Sequence, residues 1–208
     1  MNLRKFLFVI VLLFQGNIYA QTWKDYLPLF KDYTGDTRLG PVCEYLARKD
    51  LEKKYHPNQY EILSGIGYFH ASLRERFEID LMIRNRQTNK FKAIGEVKCR
   101  TSRRSLKYAH LQLLRFKTHL EALKRGQNRG ASRVSLWIDR ETTLWVDWKD
   151  FHEAQYWKIV PKGTQGVYAP YSLPLPLSDL QMLSDNLRTL RKPAALALAQ
   201  LEQAAGTL

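Results

Sequence analysis

Two adjacent segments, Phe77 to Arg86 (FEIDLMIRNR) and Phe91 to Arg100 (FKAIGEVKCR), restrict the possible folds more than any other part of this chain. Phe77, Ile79, Leu81 and Ile83 take the odd positions of the first segment, and Phe91, Ala93, Val97 and Cys99 those of the second. The even positions carry Glu78, Asp80, Arg84 and Arg86, then Lys92, Glu96, Lys98 and Arg100. Period-two alternation across so short a gap predicts two half-buried strands of a β-hairpin. Opposed residues of antiparallel strands face the same side, so burying both odd faces requires odd to pair with odd. A three-residue loop at Thr88-Asn89-Lys90 pairs Asp80 with Lys98, and a five-residue loop pairs Asp80 with Glu96. In either register Asp80, Glu96 and Lys98 share the even face. Met82 and Ile94 are even too, so that face is expected to be partly covered rather than wholly solvated.

Upstream, Leu39-Gly40-Pro41 leads into VCEYLARKDLEKKY, good helix formers with proline suited to the first turn. At 100° per residue, Cys43, Leu46, Ala47, Leu51 and Tyr55 form one apolar arc, and Glu44 falls inside it. A carboxylate on a buried stripe needs an ionic partner or a cation. The plainer alternative is a first-turn glutamate favoured by the helix dipole and still reaching water.

The order helix-Glu44, strand-Asp80, then Glu96-Val97-Lys98 resembles the catalytic core of the PD-(D/E)xK nuclease superfamily. Glu78-Ile79-Asp80-Leu81 with Glu96-Val97-Lys98 and Arg100 is similar to its small Holliday-junction-resolvase-like branch. The likeness covers Gly40 to Arg125, with Ile79 where the motif name has proline and an insertion-like stretch from Ser64 to Arg76. It implies that Asp80 and Glu96 ligate Mg²⁺ or Mn²⁺ with help from the Val97 carbonyl. It further implies that Glu44 contributes to the metal site and that Lys98 positions and polarises the attacking water. In several branches a glutamine on the next helix assists, and Gln112 is the matching residue here; the bland alternative is a polar residue at a helix margin. Junction-cutting relatives act as dimers, so a homodimer is a further expectation. The residues fit this chemistry independently, because Mg²⁺ takes hard oxygen ligands and keeps several waters.

The chain carries a formal charge of +13. Between Lys98 and Arg133 lie eleven Lys or Arg residues and one acid, Glu121. Such asymmetry suits a polyanion, bound largely through counterion release, with an anionic membrane surface as the competing partner. Arg103 to Arg125 reads as a helix whose Leu106, Ala109, Leu113, Phe116, Leu120 and Leu123 pack on the sheet. Arg100, Arg103, Arg104 and Lys107 at its start, with Arg115 on its flank, are the candidate phosphate contacts to DNA, or to RNA; Tyr108 is a candidate base stacker or a plain surface tyrosine.

Arg4-Lys5, the apolar run Phe6 to Phe14 and a small residue at Ala20 match a secretory signal peptide, predicting a periplasmic or secreted protein. Loss of Arg4 and Lys5 with it would leave +11, still strongly basic. The two cysteines, Cys43 beside Glu44 and Cys99 beside Lys98, read as either a disulfide or two buried thiols. No Cys/His spacing suggests zinc.

The expected fold is α/β: a restriction-endonuclease-like core over residues 21–160, with a mixed central sheet flanked by helices. Its elements are a helix from Pro41, strands near Tyr60–Phe69, Phe77–Arg86 and Phe91–Arg100, the basic helix, and strands near Arg133–Ile138 and Thr143–Trp148. Residues 161–208 read as a proline-containing connector, a short helix capped by Ser178 and ending near Arg191, and an alanine-rich tail. Three functions follow: an exported metal-dependent nuclease; a noncatalytic nucleic-acid-binding envelope protein on the same fold; or a basic envelope protein for lipid or protein partners.

Overall fold

The computed structural model describes residues 21–70, 73–100, 102–126, 133–138, 142–164 and 171–205, with side chains as far as Arg191. The signal-like segment lies outside the described residues. The described residues open with a short helix α1 (Trp23–Tyr26), a 3₁₀ turn (Leu27–Phe30) and the long helix α2 (Leu39–Lys54). Strands β1 (Tyr60–His70), β2 (Glu75–Asn85) and β3 (Phe91–Val97) follow, then helix α3 (Arg103–Lys124). Strands β4 (Arg133–Ile138) and β5 (Thr142–Asp147), a 3₁₀ turn (Trp148–Phe151), strand β6 (Gln155–Ile159) and helix α4 (Leu177–Ala205) complete it. The six strands form one mixed sheet in the order β5-β4-β1-β2-β3-β6. Among these strands β3–β6 is the parallel pairing and the other four are antiparallel. This is the α/β class expected, with helices on both sheet faces.

Two cores sandwich the sheet. On one face α2, α4 and the N-terminal turn bury Cys43, Leu46, Leu51, Leu180 and Leu183 against Leu81, Ile83, Ala93 and Val97. On the other, α3 buries Leu113, Phe116 and Leu120 against Ile66, Tyr68, Met82 and Ile94. Met82 and Ile94 are therefore covered, as their place on the even face requires. The α3 apolar stripe at three- and four-residue steps is what fits it to the sheet, and Ser102 caps the helix by accepting from the Ser105 amide.

Strict alternation fails at two points. Ile79 and Leu81 are both odd, yet Ile79 packs under α3 while Leu81 packs under α2. On β1 the same change separates Leu63 from Ile66, both on the α3 side. Between them stands Gly65, with φ +61°, a left-handed conformation that L side chains resist. Residue 65 lies opposite Asp80, since Ser64 pairs Leu81 and Ile66 pairs Ile79. The paired kink turns both strands over at the aspartate. A second switch separates Phe91 from Ala93, where Lys92 is the extra residue of a β-bulge.

Other boundaries differ as well. The stretch Ser64–Arg76, expected as an insertion, is the outer half of a long β1–β2 hairpin. β6 was not expected. It is five residues long with polar Gln155 and Lys158, too short to display a period. Helix α4 begins at Leu177, so Ser178 lies inside its first turn, and it runs unbroken through Pro193. Tyr171, Leu173 and Leu175 of the expected connector belong to the same core as α2, and Ser184 donates to the Thr37 carbonyl at 2.7 Å. No helix among the described residues is long and apolar enough to cross a membrane.

Candidate active site

β2 and β3 meet with Leu81 opposite Gly95 and Met82 opposite Ile94, so Asp80 lies opposite Glu96, the longer-loop register of the two expected. The Val97 amide donates to Asp80 Oδ2 at 2.7 Å, which fixes the carboxylate to the backbone of the neighbouring strand. Lys98 Nζ lies 3.0 Å from Glu96 Oε2 and 3.5 Å from Asp80 Oδ2. The Lys98 amide in turn donates to the Ile159 carbonyl at 2.9 Å, so the unexpected β6 anchors the end of β3 from its other side. The two acids and the amine expected together are together.

The cluster is under electrostatic strain. Glu96 is fully buried, and its Oε1 has no hydrogen-bond partner. Burial, then the Asp80 charge, push its carboxyl up to about 9. Glu44 is half-buried on α2, and burial followed by Asp80 and Glu78 raises it to about 7, with Lys98 opposing. Burial pulls the Lys98 ammonium down, but Asp80, Glu96 and Glu44 outweigh it and hold its pKa above the ordinary value. Burial and the nearby Glu96 charge also raise the Tyr68 phenol, which senses Arg115 as well.

Glu44 lies between two cavities. One, of about 430 Å³, is lined by Gly40, Pro41, Val97, Lys98, Arg100 and Ser105. The other, of about 240 Å³, extends past Tyr45 and Arg48 to Gly65. The Cys43–Cys99 disulfide forms, tying the helix residue before Glu44 to the residue after Lys98. Arg100 is thus at the site's rim, while Arg103, Arg104 and Lys107 are exposed on the first turns of α3. Arg115 is exposed farther along α3, its guanidinium 5.2 Å from the Phe77 ring. Gln112 is half-buried on α3, and nothing in the geometry ties its amide to Asp80 or Glu96.

Among the described residues no three His, Cys, Asp or Glu side chains converge as a ready cation cage. The pair Asp80 and Glu96 nevertheless fits a hard divalent cation. An orphaned buried carboxylate oxygen and a second carboxylate opposite it leave the remaining positions to water and phosphate, as Mg²⁺ prefers. The Lys98 ammonium partly balances that charge.

Two residues that shape the neighbouring cavities escaped the sequence reading. Gly65, the pivot opposite Asp80, also lines both the 240 Å³ cavity and a larger one of about 690 Å³ bounded by Gly67, Arg76, Phe77, Glu78 and Trp137. A glycine inside an alternating strand is the signal for such a pivot. Trp137 left no signal, because its neighbour across the sheet follows from a pairing of strands far apart in sequence. No family model, curated protein or solved structure matches the chain.

Proposed function

We propose that this chain is a metal-dependent nuclease that hydrolyses phosphodiester bonds of DNA, exported if its basic-apolar start acts as a signal. The observation that carries the reading is the buried Asp80–Glu96 pair with the Lys98 ammonium 3.0 and 3.5 Å from their oxygens. Burying two acids against each other costs free energy that a purely structural role would avoid. Asp80, Glu96 and the Val97 carbonyl would hold Mg²⁺ or Mn²⁺. When bound, such a cation supplies charge neutralisation at the phosphate oxygens and a more acidic water.

The chain's own groups supply the rest. Lys98, partly exposed at the cavity wall, presents its ammonium to a phosphate oxygen or to the attacking water. Glu44, pushed close to neutral pH, is poised to exchange a proton beside it. Arg100 at the rim, with Arg103, Arg104 and Lys107 beyond it, steers and holds the backbone. A second reading, a noncatalytic nucleic-acid binder, shares the basic helix but gives the buried acids no task.

The test is cleavage of single-stranded circular DNA and of plasmid DNA by residues 21–208 with Mg²⁺, Mn²⁺ or EDTA. Metal-dependent cleavage that disappears in Asp80→Asn and Lys98→Ala supports the enzyme. Binding with no cleavage by the unaltered protein would leave the binder.

A further inference from the structure

The kink at Gly65 and Asp80 has a consequence for the outer half of the sheet. Beyond it, Ile66, Tyr68 and Ile79 turn toward α3, so Gly67, Phe69, Arg76 and Glu78 turn to the opposite face. On β4 and β5, Val134, Leu136, Leu144 and Val146 pack toward α3, and alternation sets Trp137 and Trp145 on that same opposite face. Helices α2 and α4 pack over the inner half, against Leu81, Ile83 and Ala93. Among the described residues no helix covers the outer half. Phe69 is 42% and Trp145 62% exposed there. Gly67 faces Trp137, and a Cβ on it would lie 3.4 Å from the indole. The Arg76 guanidinium sits 5.2 Å over the Trp137 ring. Trp137 pairs Thr143, which makes Trp145 its diagonal neighbour, within about 7–8 Å along the sheet.

We infer that this open face is a stacking platform for unpaired bases, and that single-stranded nucleic acid is the substrate class. The inference rests on the nuclease reading for what happens at Lys98, but not for the binding itself. Three observations select this occupant. The platform adjoins the cavity that reaches Glu44, because Gly65 lines both that cavity and the Trp137 cavity. Strand spacing puts Trp137 roughly 12 Å from Asp80, a few nucleotides away. The chain is strongly basic, and an arginine already stacked on tryptophan can meet phosphate while a base takes the ring. A duplex keeps its base faces stacked internally and cannot use the indoles. Glu78 shares this face, so affinity here comes from stacking, whereas the Arg100 end supplies phosphate neutralisation.

Binding in EDTA separates this inference from the reaction. The probes are a short fluorescein-labelled mixed-sequence DNA strand and its duplex, with residues 21–208. The strand is expected to bind more tightly than the duplex. Trp137→Ala and Trp145→Ala should each weaken strand binding about 5- to 150-fold and leave duplex binding unchanged, with Trp137→Phe retaining most of the affinity. Unaltered thermal midpoints show that the variants fold. Equal strand binding by folded Trp variants, a preference for duplex, or a change in oligomeric state in place of affinity would overturn the platform. Trp-dependent strand binding without metal-dependent cleavage would keep the platform and remove the nuclease; cleavage with unmoved strand binding does the reverse.

Discussion

The main-chain amide of Val97 donates to the carboxylate of Asp80, so the residue after Glu96 holds its opposing acid in place. Strand pairing and site assembly are therefore one event. Asp80→Asn keeps a carbonyl oxygen for that amide and removes only the charge. Glu96, held protonated largely by burial and by Asp80, can then ionise against Lys98 and compensate. Cleavage should fall at least ~100-fold, the scale of losing one electrostatic stabiliser, while the unfolding free energy from urea titration stays within about 1 kcal/mol of the parent.

Metal addition should reverse the strain. Glu96 and Glu44 have raised folded pKa values, so the folded apo-protein keeps protons that the unfolded chain has lost. Their contribution makes the apo-protein less stable as pH rises from about 4.5 toward 9. A cation displaces those protons, so Mn²⁺ affinity should rise across that window, with proton uptake by the buffer detectable calorimetrically. At a hundredfold excess over Kd the protein should gain about 2.7 kcal/mol, and Glu96→Gln should lose most of that gain.

The convergence of Asp80, Glu96 and Lys98 was legible because two alternating segments with a short gap admit few registers. Glu44 was legible as a carboxylate on an apolar arc. The inversion of strand faces was not, because a left-handed glycine at Gly65 shows its effect only through the partner strand. Reading Ile79 and Leu81 as one face was the natural error. The α4 packing was hidden for a related reason: Leu173, Leu175 and Leu180 are separated from their α2 partners by more than a hundred residues, and nothing local announces the contact. The cavity at Trp137 thus depended on two features without local signatures, the kink and the β1–β4 pairing.

Acid should act through a different pair. His70 and His119 lie with ring centroids 4.9 Å apart, and neither Nδ1 has a hydrogen-bond partner. Burial, then His70, pulls His119 down to about 4, and burial lowers His70 too. Here the unfolded chain binds more protons, so the stability tied to neutral His119 is complete above about 6.5 and is lost as pH falls toward 4. Glu96 and Glu44 slope the other way across the same window. The histidine contribution is therefore read as the difference in urea stability between the parent and His119→Phe, which should grow as pH rises from about 4 to 6.5.

The Cys43–Cys99 bond should govern both stability and catalysis. It closes a sequence separation of 56 residues, which chain entropy converts to about 4 kcal/mol. Cys43 precedes Glu44 on α2 and Cys99 follows Lys98 after β3, so the bond spans the gap that the 430 Å³ cavity occupies. Cys43→Ser with Cys99→Ser should lower the unfolding free energy by about 2–4 kcal/mol and leave a folded protein at low temperature. There α2 is held to the sheet by packing and the Arg48–Ser64 hydrogen bond, and Glu44 loses its fixed position relative to Lys98. Cleavage rate at saturating DNA should fall while strand affinity in EDTA is kept, because the stacking platform lies on strands that the bond does not touch. Equal loss of rate and affinity would mean that the bond supports the whole sheet rather than the placement of Glu44.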